Sequence, residues 1–337
     1  LSHRIGVFGV AVATALGLTA CADNGSEADT THASTSETAS AQSGTSQART
    51  ADGAVTVTDA AGRTLQFNEL PERIVLAEGR AAYATALLQD EPLHNVVAYG
   101  QDLEKAAGAF RDKLFELQPE AKDMPTIGMI QKGDVTVENL LAQKPDVVIM
   151  TLDQKKAVEE SGFLSDMDAA GLKYAFIDFR QKPLENTTVS MQLLGDLLGQ
   201  SERAEEYNEF YNAKVKEITD RVAETADRPD VLIWMAAGFN DCCAVAGDAN
   251  LGTLVTAAGG HNLGPEVLGA DSTTITAEKL IELNPDKLIV TGGEWARDPN
   301  RTDAVRHVEL GYQSSPELAL QTCDGPLSQA GMDQLDA

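Results

Sequence analysis

Thr136-Val137-Glu138-Asn139-Leu140-Leu141-Ala142-Gln143-Lys144-Pro145-Asp146-Val147-Val148-Ile149 is the stretch that decides how this chain folds. The threonine fits a helix N-cap, and the glutamate falls in the first turn, where the helix dipole favours it. Pro-Asp then stops the helix before a run of β-branched residues. The phrase returns as Thr276-Ala277-Glu278-Lys279-Leu280-Ile281-Glu282-Leu283-Asn284-Pro285-Asp286-Lys287-Leu288-Ile289. One helix-turn-strand unit is thus used twice, far apart in the chain.

Around these units, apolar strand-like runs recur at 74–76, 96–99, 147–150, 174–177, 231–235 and 288–290, with helical patterns such as 81–88, 135–142 and 277–283 between them. Continuous β-branched runs alternating with amphipathic helices predict parallel sheets covered on both faces, an α/β fold. The body opens with VTVTDAAGRTLQF at 55–67, two alternating runs around Ala61-Gly62 that read as a β-hairpin. From 184 to about 224 the pattern is helical, with Leu193, Leu194, Leu197, Leu198, Tyr207, Phe210, Tyr211, Val215, Ile218 and Val222 on a recurring face. Gly199 and Ser201 are candidate breaks in it. The simplest organisation is two lobes, each with a parallel-type sheet flanked by helices, joined by a long helix.

The charge excludes some partners. The chain has 337 residues, with 52 Asp and Glu against 26 Lys and Arg and a formal charge of −26. Nucleic acid is bound through surplus cations that release counterions, so it is not a partner here. Hydrophobic residues make up 43% of the chain, enough for a packed core, and aromatic residues only 5%, too few for single-strand stacking platforms.

Residues 1–21, LSHRIGVFGVAVATALGLTAC, have a short basic start, an apolar stretch and small residues before Cys21. This is the layout of a secretory signal, and its apolar run is shorter than the roughly 20 residues that span a bilayer. Leu18-Thr19-Ala20-Cys21 resembles the bacterial lipobox, in which the cysteine is lipidated. Residues 22–54 are rich in Ser, Thr, Ala, Gly and Asp, and lack large aliphatic side chains. Such a segment does not offset its own ordering entropy and reads as a disordered tether. The full division is a signal peptide with lipobox at 1–21, a tether at 22–54, an N-terminal lobe at 55–184, a linking helix at 185–226 and a C-terminal lobe at 227–337, the last read as truncated. The expected location is extracytoplasmic, with the membrane reached only through a lipid on Cys21.

Leu70-Pro71-Glu72-Arg73-Ile74-Val75, the two Glu…Pro-Asp phrases and Ala257-Ala258-Gly259-Gly260-His261-Asn262 together resemble the helical-backbone (class III) periplasmic binding proteins. These deliver ferric siderophores, heme or cobalamin to ABC importers. The resemblance covers roughly residues 55–310. It implies that Glu138 and Glu278 dock onto arginines of the permease dimer, one glutamate per lobe. Plain complementation of the helix dipole accounts for the same two positions.

The family's ligand lies between lobes, and open α/β sheets bind ligands outside the carboxyl ends of their strands. Together these nominate Arg80, Tyr83 and Gln131 in the first lobe, and Trp234, Phe239, Asn240, Trp295 and Arg297 in the second. Arg80 is the preferred contact, because a planar guanidinium takes two chelate oxygens at once. The long linking helix implies a wide, mostly preformed cleft.

Cys242, Cys243 and Cys323 remain once Cys21 is assigned to the lipid. Either the adjacent pair closes a vicinal disulfide or one of them bonds Cys323, and outside the cytoplasm a structural disulfide is expected. His3, His32, His94, His261 and His307 have no metal-ligand spacing, and no cofactor is expected. No Cys-x-x-Cys, phosphate loop or Gly-x-Ser-x-Gly appears, so no catalysis is read. The expectation is a lipid-anchored substrate-binding protein of an ABC importer, carrying a ferric siderophore. The alternatives are heme or cobalamin binding, or a surface redox lipoprotein built on Cys242 and Cys243.

Overall fold

The computed structural model describes residues 54–235, 243–268 and 274–291, all within one compact unit, Gly44–Ala337. Strands β1 (Val55–Thr58) and β2 (Thr64–Phe67) pair antiparallel as the opening hairpin. Buried Asp59 closes its turn by accepting the N–H groups of Ala61 and Arg63, and also that of Phe176, which ties the hairpin to the sheet behind it.

That sheet has five parallel strands: β3 (Ile74–Leu76), β4 (Val96–Gly100), β5 (Thr126–Ile127), β6 (Val147–Thr151) and β7 (Tyr174–Ile177). Their spatial order is β5-β4-β3-β6-β7. The chain winds outward from β3 through β4 to β5, then returns to the other side of β3 to lay down β6. The order therefore reverses between β3 and β6. Successive side chains point to opposite faces. Ile74 and Leu76 pack with Leu88, Leu193 and Leu197, while Val75 packs with Leu140, Val158 and Met167. Helices on both faces explain why the strands read as unbroken apolar runs.

The repeated phrase has matching local chemistry in its two copies. Thr136 caps the helix Val137–Ala142, accepting the Asn139 N–H at 3.3 Å. Thr276 caps the helix Ala277–Leu283, accepting the Lys279 N–H at 3.2 Å. Before each proline the backbone turns left-handed, at Lys144 (φ 49°) and Asn284 (φ 44°). Asp146 Oδ2 then accepts the N–H groups of Glu72 and Arg73, each at 2.9 Å. Asp286 Oδ2 accepts the Asp230 N–H at 2.9 Å. Arg73 reaches back to the carbonyls of Lys144 (2.9 Å) and Gln143 (2.6 Å), partnering carbonyls that the ending helix leaves open.

The helical segment is a hairpin of two helices, Pro183–Leu198 and Ser201–Ala223, broken at the Gly199 and Ser201 positions that the sequence offers as candidate breaks. Gly199 ends the first helix in the left-handed conformation (φ 69°) that glycine adopts without penalty. The helices run antiparallel: Asn208 Nδ2 donates to the Thr188 carbonyl at 3.0 Å, and the Tyr211 hydroxyl to that of Pro183 at 2.9 Å. The second helix reaches about 34 Å at 1.5 Å per residue, beyond the start of its partner. Its apolar face is narrower than the sequence suggests. Ala204 is buried and Tyr207 packs on the core, whereas Phe210 and Ile218 are exposed.

The second sheet centres on β8 (Asp230–Met235), which pairs antiparallel with β9 (Ala244–Val245) and parallel with β10 (His261–Asn262) and β11 (Lys287–Val290). The two-residue β9 adds a short antiparallel pairing to this otherwise parallel sheet. Leu232, Trp234, Cys243, Val245, Leu263, Ile275 and Leu280 form a core on one face. Among the described residues, no helix is long and apolar enough to cross a membrane.

Candidate functional site

A pocket of about 330 Å³ opens at the carboxyl ends of β3, β6 and β7. It lies where the strand order reverses, the position at which doubly wound sheets bind ligands, and its size falls in the usual range of about 300–1,000 Å³ for small-molecule sites. Ile177, Phe179, Met191, Leu87 and the rings of Tyr83 and Tyr207 give it largely apolar walls.

The polar rim is built by three loops. After β3, Asp102 fixes the backbone: Oδ1 accepts the Gly79 N–H at 2.8 Å and Oδ2 the Arg80 N–H at 3.0 Å. Gly79 has to be glycine here, because a Cβ would lie 2.3 Å from the Gly100 carbonyl oxygen and 2.7 Å from Leu103 Cβ. After β7, buried Asp178 turns the chain by accepting the N–H groups of Arg180, Gln181 and Lys182 and the Asn186 amide. Burial acts to raise the Asp178 pKa, but the bonds from Asn186 and these backbone groups outweigh it, so the pKa is lowered. After β6, Thr151 and Asp153 complete the rim.

Glu78 sits at the centre, its side chain only 10% exposed. Oε1 meets Arg80 Nη2 at 2.6 Å. Oε2 meets Arg180 Nη2 at 3.0 Å and accepts the Thr151 hydroxyl at 3.0 Å. Arg80 Nε also binds Asp102 Oδ2 at 3.1 Å, and Arg180 Nη2 binds Asp153. Burial raises the Glu78 pKa above the ordinary carboxylate value, with Arg180 and Arg80 acting against it. Tyr83 stacks on Phe110, with ring centroids 4.0 Å apart. Burial, then the neighbouring Tyr211, raises the Tyr207 phenol pKa.

Of the residues nominated from the sequence, Arg80 and Tyr83 meet at this pocket. Gln131 is outside it and accepts a bond from Gln154 at 3.2 Å. Trp234 is a correction: it is 1% exposed in the core of the second sheet, so its indole faces packed side chains and not a ligand. Phe239, Asn240, Trp295, Arg297, Cys21, Cys242 and Cys323 lie outside the described residues. Cys243 is fully buried and disulfide-bonded. Among the described residues no cluster of His, Cys, Asp and Glu fits a metal ion.

Glu138 and Glu278 are exposed in the first turns of their helices. The pKa of each is lowered by its own backbone N–H and then by the threonine cap, Thr136 or Thr276. Sequence reasoning missed Asp153, Phe179, Arg180, Met191 and Tyr207. Phe179 and Arg180 directly follow β7 and Asp153 follows β6, so the rule that selected Arg80 reaches them too. Met191 and Tyr207 come from the helical hairpin, and only packing reveals them.

Comparison with known proteins agrees with this architecture. A family model described as "Periplasmic binding protein" matches residues 103–310. An uncharacterized ABC transporter substrate-binding lipoprotein, YvrC of Bacillus subtilis (strain 168), is 19% identical over 289 residues, covering 83% of this chain and 84% of that protein. The TroA-like periplasmic binding protein FepB from Veillonella parvula superposes with a TM-score of 0.67 at 24% identity, over 80% of this chain and 76% of that one. The molybdate-bound periplasmic binding protein MolA of Haemophilus influenzae gives a TM-score of 0.53 at 19% identity, over 70% and 73%. With the doubly wound sheet, the pocket at its switch point and a family match over more than half its length, the chain is a substrate-binding protein that belongs to the periplasmic binding protein family.

Proposed function

We propose that this protein is the lipid-anchored substrate-binding component of an ABC importer and that it carries a ferric siderophore. The observation that carries the reading is the pocket at the strand-order reversal, with aromatic and aliphatic walls under a rim of guanidiniums and carboxylates. Apolar walls suit the organic arms of a chelate, and the Arg80 and Arg180 N–H groups suit its metal-bound oxygens. The name of the Bacillus subtilis relative, an ABC transporter substrate-binding lipoprotein, supports the transport role and the anchor at Cys21. In this reading residues 22–54 tether the two lobes to the membrane, and Phe239, Asn240, Trp295 and Arg297 supply the facing wall. The buried disulfide at Cys243 supports a structural role for the cysteines rather than a redox one.

Glu138 and Glu278 dock onto the permease in this proposal, supported by their matching exposed placement at two capped helix starts. Isothermal titration calorimetry of the full chain with iron(III)-loaded hydroxamate, catecholate and citrate chelates, then heme and cobalamin, tests the cargo. Saturable one-to-one binding of an iron chelate is expected, and binding of heme or cobalamin alone overturns it. The docking role predicts that Glu138→Ala with Glu278→Ala abolishes cellular uptake at unchanged ligand affinity, and intact uptake overturns it. Cys21→Ala is expected to release the protein from the membrane fraction.

A further inference from the structure

Resting on the chelate-binding reading above, we infer that the pocket selects neutral or cationic iron chelates of tris-hydroxamate chemistry over trianionic tris-catecholates. The charges at the rim carry the argument. Arg80 is held by Asp102 through Nε at 3.1 Å and by Glu78 through Nη2 at 2.6 Å. Arg180 is held by Glu78 at 3.0 Å and by Asp153. The two guanidiniums therefore face three carboxylates. If Glu78 took up a proton, cations and anions would be equal in number. In neither state do the two guanidiniums, taken with the carboxylates that hold them, carry a net positive charge.

An anionic ligand meets guanidiniums whose charge three carboxylates already offset. The same carboxylates lie close to the ligand's own charge, a repulsive arrangement that works against that ligand class. Three hydroxamates neutralise iron(III), and a pendant amine makes the complex cationic, whereas three catecholates leave three negative charges. A neutral core accepts the remaining N–H groups of Arg80 and Arg180 without disturbing their ion pairs. A pendant ammonium group has a partner in Asp153, whose side chain is 33% exposed at the pocket. Ile177, Phe179 and Met191 offer an apolar surface to hydrocarbon spacers. The chain's overall charge of −26 repels a trianion before it reaches the mouth.

The test is calorimetric titration of the full chain with iron(III) desferrioxamine B (cationic), ferrichrome (neutral) and iron(III) enterobactin (trianionic). Both hydroxamates are expected to bind about tenfold or more tightly than the catecholate. Catecholate binding that equals or exceeds theirs overturns the charge selectivity and leaves the chelate-binding reading standing. No binding of any chelate, by protein shown to be folded by circular dichroism, overturns that reading and this inference together. Asp153→Asn removes a partly exposed carboxylate and keeps its shape. It is expected to narrow the hydroxamate-to-catecholate ratio by about threefold or more. An unchanged ratio in folded Asp153→Asn also counts against the inference.

Discussion

Arg180 Nη2 and Glu78 Oε2 meet at 3.0 Å although 102 residues separate them in the chain. The contact joins the loop after β7 to the loop after β3 across the intervening β6, so it fixes the width of the pocket mouth. Replacing Glu78 with alanine leaves two guanidiniums crowded at the rim. A loss of about 1–3 kcal/mol is expected in urea unfolding. The lower part of that range applies because Arg180 keeps Asp153 and is 36% exposed.

Gly79→Ala tests the rim through the backbone. The new Cβ meets a carbonyl oxygen and a buried leucine that have little room to yield. About 1–3 kcal/mol of destabilisation is expected, together with weaker ligand binding as Arg80 is displaced. Calorimetry on material shown to be folded separates the two effects.

Lys144 and Asn284 hold the same left-handed turn before Pro-Asp. The conformation is costlier for lysine, because asparagine tolerates it better. Lys144→Gly is expected to raise stability by about 0.5–1 kcal/mol, and Asn284→Gly by less, both read from denaturant midpoints.

His261 bridges two carboxylates, Asp230 through Nδ1 at 2.8 Å and Glu266 through Nε2 at 2.7 Å. Its pKa is raised, first by the hydrogen bond to Asp230; desolvation opposes the rise, and the Glu266 and Asp230 charges and the bond to Glu266 add to it. The folded state therefore favours the protonated ring. Its contribution is complete below the unfolded value of about 6.5 and is lost as pH rises through the raised folded pKa. His261→Gln is expected to flatten the fall in melting temperature from mildly acidic to mildly basic pH. An unchanged slope would refute the bridge.

Much of the fold was legible because strands β3, β6 and β7 are buried on both faces, which writes them as unbroken apolar runs. The short pairings β5, β9 and β10 left no such mark. His261-Asn262 pairs with β8 through its backbone, and two residues give no periodicity. The Glu…Pro-Asp repeat was visible, but not that each aspartate anchors the start of a neighbouring strand, since Arg73 and Asp230 are distant in sequence. The site was half legible. Strand ends point to loops, which found Arg80, yet a sequence does not say which carboxylates a guanidinium already holds. On β8, with both faces covered, nothing in the pattern told whether Trp234 faces core or ligand.

The enclosure of Trp234 turns that side chain into a strain gauge for the second sheet. In a Trp295→Phe background its emission comes from a ring packed among Leu232, Cys243, Val245 and Ile275. A ligand seated at the β3–β6 end of the first sheet does not touch it. Any spectral change on loading then measures how far binding at one sheet is transmitted to the interior of the other, and a silent titration that shows full calorimetric binding means that the second core receives its cargo without repacking.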